Sequence, residues 1–243
     1  MIDLHCHILP GVDDGSRNLE ESVEMARLAV ASGVRGIAAT SHFRGEEREL
    51  PKIPLLCERF DLLQKTLNEN GIPLKLFHGA EILGLPETSQ MAERRLLPTL
   101  GEGNYVLIEF YFDEPGEMID QRLDLVARCG YRIVVAHPER YDAVKENPDW
   151  IHRWFDRGYA IQVNKGSVLG RFGSRVRHTA EEILSMGAAH ILASDAHRSD
   201  IRTTHMAEIR NWACENLGEQ YSRILLEENP ARVLLGRPLA PIT

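Results

Sequence analysis

The sequence has few cysteines, no long hydrophobic run and no excess of positive charge. Its four cysteines are scattered and form no Cys-x-x-Cys pair, which is typical of reduced thiols in a cytoplasmic protein. The longest apolar runs are short, such as residues 133–136, so we expect no segment that crosses a bilayer. The net charge of −8 argues against broad binding to nucleic acid or to an anionic membrane.

Several common catalytic motifs are also missing. The sequence contains no glycine-rich phosphate loop, no Cys-x5-Arg phosphatase loop and no Gly-x-Ser-x-Gly motif. A phosphocysteine mechanism is therefore not expected. There is no linker, internal repeat or low-complexity tract, and 243 residues suit one large α/β domain or two small ones.

The first fifteen residues contain the densest group of polar side chains, His5-Cys6-His7 followed by Asp14. Residues two apart on a strand point to the same face, so a strand over residues 2–8 places Asp3, His5 and His7 on one side. Two imidazoles with a carboxylate behind them form half of a metal site. Taken alone, His-x-His also fits two surface histidines on an edge strand.

The rest of the chain alternates between strand and helix patterns about seven times, which favours an α/β fold with parallel strands. Asn18 and Glu21 predict a capped helix after the first loop, and Asn229 is the predicted cap of the last helix. The charged stretch 44–54 is predicted to be a long loop near the site. We predict strands over residues 2–8, 34–40, 73–80, 104–110, 131–136, 159–163 and 189–193.

Nearly every candidate polar side chain lies at the carboxyl end of one of these strands, where α/β barrels place their active sites. The remaining histidines, at positions 78, 152, 178, 190 and 205, are interpreted as structural or surface residues. The strand-end residues are His5, His7, His42, Glu81, Glu109, His137, Asn164, Asp195 and His197.

This set is too large for one ion, because catalytic zinc takes three protein ligands and a water. Mixed nitrogen and oxygen ligands suit Mn, Fe, Zn or Co better than Ca or Mg. The sequence therefore predicts two or three divalent ions, which Glu81 and Glu109 could bridge. Such ions can share a hydroxide and clamp phosphate oxygens.

The opening stretch, residues 1–16, resembles that of the polymerase-and-histidinol-phosphatase (PHP) superfamily. It is most similar to the manganese-dependent bacterial tyrosine-protein phosphatases that are encoded with capsular and exopolysaccharide genes. The resemblance covers essentially the whole chain in order, through residues 41–42, 79–81, 108–110, 136–140, 162–164 and 194–197. It implies a distorted seven-stranded (β/α) barrel that forms one PHP domain over residues 1–243.

The resemblance also implies a trinuclear site and two arginines that hold the substrate phosphate. These are Arg140 and Arg202, with Arg198 as a rival to Arg202; a guanidinium can grip phosphate oxygens bidentately. Asp3 is expected to orient a ligating imidazole, and Asn164 either lines the pocket or is a turn residue. The implied ligand groups are His5, His7, Glu81 and Asp195 for one ion, Glu81, Glu109 and His137 for a second, and Asp14, His42 and His197 for a third.

The function implied is hydrolysis of phosphotyrosine on a protein by attack of a metal-bound hydroxide. Manganese is the expected metal, with Fe, Zn, Co or Mg as alternatives, and the expected partner is a bacterial tyrosine kinase that controls capsular or exopolysaccharide synthesis. We expect a cytoplasmic protein with no cleaved leader, no nucleic-acid partner and no membrane insertion. The alternatives are a small-molecule phosphomonoesterase, such as histidinol phosphatase, and a non-catalytic PHP binding module. The segment 43–54 departs from the family pattern where a protein substrate would approach.

Overall fold

The computed structural model describes residues 1–242; Thr243 lies outside the described residues. The chain folds into parallel β-strands surrounded by helices, which confirms the predicted α/β class. The strands are β1 (Ile2–Cys6), β2 (Gly36–Ala39), β3 (His42–Arg44), β4 (Lys75–His78), β5 (Glu81–Leu83), β6 (Tyr105–Glu109), β7 (Arg132–Ala136), β8 (Ala160–Asn164) and β9 (Ile191–Ala193).

The α-helices connect and cover the strands. They are α1 (Leu19–Ala31), α2 (Ile53–Glu69), α3 (Thr88–Glu93), α4 (Gly116–Arg128), α5 (Asp142–Glu146), α6 (Asp149–Asp156), α7 (Lys165–Val168), α8 (Ser174–Ser185), α9 (Ala207–Leu217), α10 (Glu219–Arg223) and α11 (Asn229–Leu234). Short 3₁₀ helices span Glu47–Lys52 and Pro138–Arg140, and a π-helical turn spans Ile224–Glu228. Within residues 1–242, no helix combines the length and the apolar character that crossing a membrane requires.

The strands form two parallel sheets, ordered β1-β2-β4 and β3-β5-β6-β7-β8-β9. The described residues therefore contain nine strands where the sequence predicts seven. The difference arises because the predicted strands 34–40 and 73–80, which appear as β2 and β4, are each followed after a break by a further short strand, β3 and β5. The interruptions touch each other, since a Cβ at Gly79 would lie 3.1 Å from Cγ2 of Thr40. Each broken strand then resumes in the second sheet, where His42 pairs with Glu81.

The first and last strands meet at their carboxyl ends. Cys6 and Ala196 form an isolated parallel bridge, and the Asp195 backbone N–H donates to the His5 carbonyl oxygen over 2.8 Å. This contact brings the opening residues beside the end of β9, so the strand ends of both sheets face one region of the molecule.

Most apolar side chains of the strands are buried, on both faces, as expected for parallel strands that are covered by helices. On β6, Val106 and Ile108 belong to the larger core cluster, while Tyr105 and Leu107 belong to a smaller one. Glu109 continues the second row at the carboxyl end of the strand.

Two local predictions are wrong and one is confirmed. The Glu21 backbone N–H donates to Oδ1 of Asn18 over 2.9 Å, which confirms that cap. The segment 44–54 is not a simple loop, because it contains a 3₁₀ helix and the start of α2. Asn229 does not cap the last helix; its buried amide bonds to the His190 carbonyl oxygen and the Ala240 N–H.

His190 provides a test of the packing around β8. Its side chain is 6% exposed, the Ile161 backbone N–H donates to its Nδ1 over 3.1 Å, and its ring stacks on Phe155. Burial lowers the pKa of His190 to about 4. Because the unfolded chain binds a proton near pH 6.5 that the folded protein excludes, His190 stabilises the fold above pH 6.5 and loses that contribution as pH falls towards 4. We expect the loss to reach about 2 kcal/mol at pH 5.

Urea unfolding at pH 7.5 and pH 5 measures this effect in the wild type and in His190→Asn, whose side-chain oxygen can still accept from Ile161. The wild type should lose more stability than the variant between the two values, since all other titrations are shared. Equal losses would contradict the assignment of a neutral buried imidazole.

Candidate metal centre

His5 and His7 leave β1 with one ring nitrogen held and the other directed to the centre of the site. Nδ1 of His5 lies 2.9 Å from Oε1 of Gln162, and Nδ1 of His7 lies 2.9 Å from Oδ2 of Asp13. Both side chains are fully buried. Metal-binding histidines are commonly held in this way through their second nitrogen, so the local geometry suits two ligands that coordinate through Nε2.

Glu81 lies at the centre of the site as the first residue of β5. Its Oε1 is 2.8 Å from Nε2 of His137 and 3.1 Å from Nε2 of His5. Its Oε2 is 3.2 Å from Nε2 of His7 and 3.1 Å from Nδ1 of His42. A carboxylate with imidazoles around both oxygens is placed to bridge two neighbouring cations.

The outer part of the site is more open. Nδ1 of His42 lies 3.0 Å from Oε1 of Glu109, and its Nε2 lies 3.3 Å from Oδ1 of Asp14. Nε2 of His197 is 3.4 Å from the same Asp14 oxygen. The opening loop, β3, β6 and the residues after β9 therefore meet at the mouth.

The nine predicted ligands all come together here. Within residues 1–242, four subsets have ligand atoms within 4.8 Å of one another: His7, Asp14, His42 and His197; His5, His7 and Glu81; His5, His137 and Asp195; and His42, Glu81 and Glu109. Their nitrogen and oxygen donors suit Mn, Fe, Zn or Co, so the residues fit a group of divalent ions. The subsets differ from the implied division, since His137 groups with His5 and Asp195 rather than with Glu109.

The charges of the site favour cations. Burial alone would lower the pKa of His42, but hydrogen bonds to Glu109 and Glu81 raise it to about 11. Burial likewise opposes protonation of His7, yet its bonds to Asp13 and Glu81 raise its pKa to about 10. The carboxylates thus create a strongly negative potential at the imidazoles, which protons or metal ions can neutralise.

Of the four non-glycine residues with positive φ in residues 1–242, all but Arg95 lie at the site. His137, Asp195 and Arg202 have φ angles of 34°, 48° and 52°, in the left-handed region that non-glycine residues rarely adopt. Strained conformations persist where the surrounding structure fixes them, and they cluster at functional sites.

Both predicted phosphate-binding arginines reach the mouth. Together with Phe112 and the outer ligands they line a cavity of about 140 Å³. Nη1 of Arg140 is 3.5 Å from Oδ2 of Asp195, and Nη2 of Arg202 is 2.6 Å from the same oxygen. The rival Arg198 instead lies 3.9 Å from Glu21 and is not among the residues lining this cavity.

Sequence reasoning missed several residues of the site. The sequence points to Asp14 and not to its neighbour Asp13. No sequence pattern indicates Phe112 and Phe172, whose ring centroids lie 4.2 and 4.7 Å from Cζ of Arg140. Gln162 could have been found, because it is two residues before Asn164 on the same strand face. The role expected for Asp3 is wrong. Its Oδ1 accepts from the backbone N–H groups of Ser194 and His5, and the imidazole of His5 is held instead by the side chain of Gln162.

Buried histidines and carboxylates at the ends of parallel strands, with arginines at the mouth, define a metal-dependent hydrolase. The family model described as capsular polysaccharide synthesis, CpsB/CapC, matches residues 1–235. The chain belongs to the CpsB/CapC family.

Named relatives extend over nearly the full chain. Tyrosine-protein phosphatase YwqE of Bacillus subtilis is 36% identical over 228 residues, which cover 93% of this chain and 89% of that protein. Tyrosine-protein phosphatase CpsB of Streptococcus pneumoniae is 30% identical over 240 residues, which cover 97% of this chain and 98% of that protein.

A solved structure confirms the similarity in three dimensions. It comes from a study of YwqE from Bacillus subtilis and CpsB from Streptococcus pneumoniae, described as unique metal-dependent tyrosine phosphatases. The match has a TM-score of 0.87 at 34% identity and covers 100% of both chains. A probable 2-pyrone-4,6-dicarboxylic acid hydrolase from Acinetobacter baumannii shares the fold alone. That match has a TM-score of 0.54 at 13% identity and covers 96% of this chain and 98% of the other.

Asp13 allows a test of the inner site. We expect Asp13→Ala to weaken Mn²⁺ binding by about 10- to 100-fold, because His7 loses the carboxylate that orients its ring. Asp13→Asn should retain most of the affinity, since an amide oxygen can still accept from Nδ1. Isothermal titration of the metal-free protein with Mn²⁺ measures both variants, with the exposed Asp156→Asn as a control. Unchanged affinity in Asp13→Ala would show that His7 needs no such support.

Proposed function

We propose that this protein is a metal-dependent tyrosine-protein phosphatase. The observation that carries the proposal is the convergence of Arg140 and Arg202 on the mouth of a cavity lined by histidines and carboxylates. Such a cavity joins a cation site to an anion site, as hydrolysis of a phosphate ester requires. The relatives named tyrosine-protein phosphatases support phosphotyrosine as the substrate.

The proposed metal ligands are His5, His7, Asp14, His42, Glu81, Glu109, His137, Asp195 and His197. We propose that they hold two or three divalent ions, with manganese as the first candidate. When bound, such ions polarise phosphoryl oxygens and generate a nucleophile from water at neutral pH. The central place of Glu81 between the imidazoles supports more than one ion.

Arg140 and Arg202 are the proposed catalytic residues. Their guanidinium nitrogens converge on one oxygen of Asp195, so their donors are close enough to share a phosphate group. Charge-assisted hydrogen bonds from two guanidiniums would orient the phosphoryl group and stabilise the negative charge that develops on it. Packing between Phe112 and Phe172 fixes the guanidinium of Arg140 in place.

Phe112 supports an aryl phosphate as the substrate. Its ring is 42% exposed and lines the cavity beside Arg140. A phosphoryl group held by the arginines would leave the phenyl ring of phosphotyrosine next to this side chain. Aromatic pairs contribute about 0.5–1.5 kcal/mol beyond simple burial, which favours tyrosine over serine or threonine esters.

The finer architecture follows the same reasoning. We propose one PHP-type domain over residues 1–243 that is a distorted seven-stranded (β/α) barrel, in which β2 with β3 and β4 with β5 each count as one interrupted strand. The bridge between Cys6 and Ala196 supports closure between the first and last strands.

The proposed partner is a phosphorylated bacterial tyrosine kinase that controls capsular or exopolysaccharide synthesis. The family description, which concerns capsular polysaccharide synthesis, supports this partner. We propose that the two meet in the cytoplasm, a compartment that also suits the four free cysteines of the described chain.

The activity test compares two substrates on the manganese-loaded protein, a phosphotyrosine peptide with several tyrosines and histidinol phosphate. We expect higher kcat/KM for the peptide, loss of turnover after chelation, and a fall of about 100-fold or more in Arg140→Ala. Preference for histidinol phosphate would overturn the protein substrate while retaining the metal site. Turnover that survives chelation would overturn the metal-dependent mechanism.

Phe112 and Phe172 form a matched pair for testing aryl recognition, because both contact Arg140 but only Phe112 is a lining residue of the cavity. Phe112→Ala should lower kcat/KM for phosphotyrosine about 10-fold more than for phosphoserine. Phe172→Ala should lower both values by the same factor. An unchanged ratio in Phe112→Ala would contradict contact between this ring and the substrate.

A further inference from the structure

We infer that Gln162 and Asn164 form a relay of side-chain amides that positions His5 and Asp195, a role that rests on the metal site of the proposed function. Both residues belong to β8, where residues two apart point to the same face. Both are fully buried, at 0% exposure. Neither belongs to the proposed ligand set.

The relay is continuous across three strands. Oε1 of Gln162 lies 2.9 Å from Nδ1 of His5, and Nε2 of Gln162 lies 2.7 Å from Oδ1 of Asn164. Nδ2 of Asn164 lies 2.6 Å from Oδ2 of Asp195. It therefore connects the end of β1 to the residues after β9 through the middle of the site.

These contacts fix the orientation of both amides and place a proton on Nδ1 of His5. The Asp195 carboxylate can only accept, so Asn164 must turn its NH₂ group towards it and its oxygen towards Gln162. Gln162 must then donate through Nε2, which leaves its oxygen for His5. Since an amide oxygen can only accept, Nδ1 of His5 carries a proton, so Nε2 is the ring nitrogen that can coordinate a metal ion in place of its own proton.

The relay also fixes the rotation of the Asp195 carboxylate. Oδ1 of Asp195 faces the imidazoles of His5 and His7, at 3.6 and 3.7 Å. Oδ2 faces Asn164 and, at 2.6 Å, Nη2 of Arg202. One oxygen is thus kept on the cation side of the site and the other on the arginine side. Gln162 and Asn164 act as positioning residues for both.

A double-mutant cycle tests whether the two amides work as one unit. Gln162→Met and Asn164→Leu remove the amide groups with little change in side-chain size. Each variant should weaken Mn²⁺ binding about 10- to 100-fold, as loss of support for a metal ligand does. The affinity of the double variant for Mn²⁺ should equal that of the single variant with the lower affinity, because breaking one link already disconnects the relay.

Isothermal titration of the metal-free proteins with Mn²⁺ provides the measurement, and it needs no phosphatase activity. Losses that multiply in the double variant, or an unchanged affinity in either single variant, would overturn the relay. If the protein binds Mn²⁺ with the expected coupling but does not hydrolyse phosphotyrosine, the proposed substrate fails and the relay stands.

Asn229→Leu is the matched control. Asn229 is also a fully buried asparagine with both ends of its amide bonded, but its partners are His190 and Ala240. This variant should unfold at a lower urea concentration and bind Mn²⁺ like the wild type. A comparable loss of affinity in this control would attribute the relay effect to general destabilisation. If Asn164→Leu does not fold, Asn164→Ala removes the same groups with a smaller side chain.

Discussion

The burial of one carboxylate among four imidazoles is the interaction on which the rest of this structure depends. Glu81 contacts His5 and His7 at the end of β1, His42 from β3 and His137 at the end of β7. A charged group that is 1% exposed is tolerated only when its partners are all in place. The strand breaks serve this requirement, because His42 and Glu81 lie side by side where β3 and β5 begin.

The proposed cation and anion sites meet at a second carboxylate. Asp195 turns one oxygen to the histidines and the other to the two arginines. The two halves of the site therefore cannot be moved independently. A change in the position of this side chain would alter the metal environment and the phosphate environment together.

The alternation of strands and helices, and the convergence of the strand-end histidines and carboxylates, could be predicted because both depend on local periodicity and on the common direction of parallel strands. The breaks at residues 40–41 and 79–80 could not; there Gly79 and Thr40, which are far apart in the chain, lie close together. The contacts of Phe112 and Phe172 with Arg140 could not be predicted for the same reason, because these residues belong to loops that meet only after folding. No periodicity distinguishes Asp13 from Asp14, and only packing assigns one to His7 and the other to the mouth.

The bridge between Cys6 and Ala196 has a consequence for biosynthesis. The opening histidines are translated first, but their partners after β9 are translated almost two hundred residues later. Contacts that are so distant in sequence form late, after most of the chain has collapsed. A ribosome-bound nascent chain therefore carries an incomplete set of proposed ligands until residues 195–197, in the last fifth of the sequence, have emerged. A product that ends before residue 195 would lack Asp195 and His197, two of the nine proposed ligands.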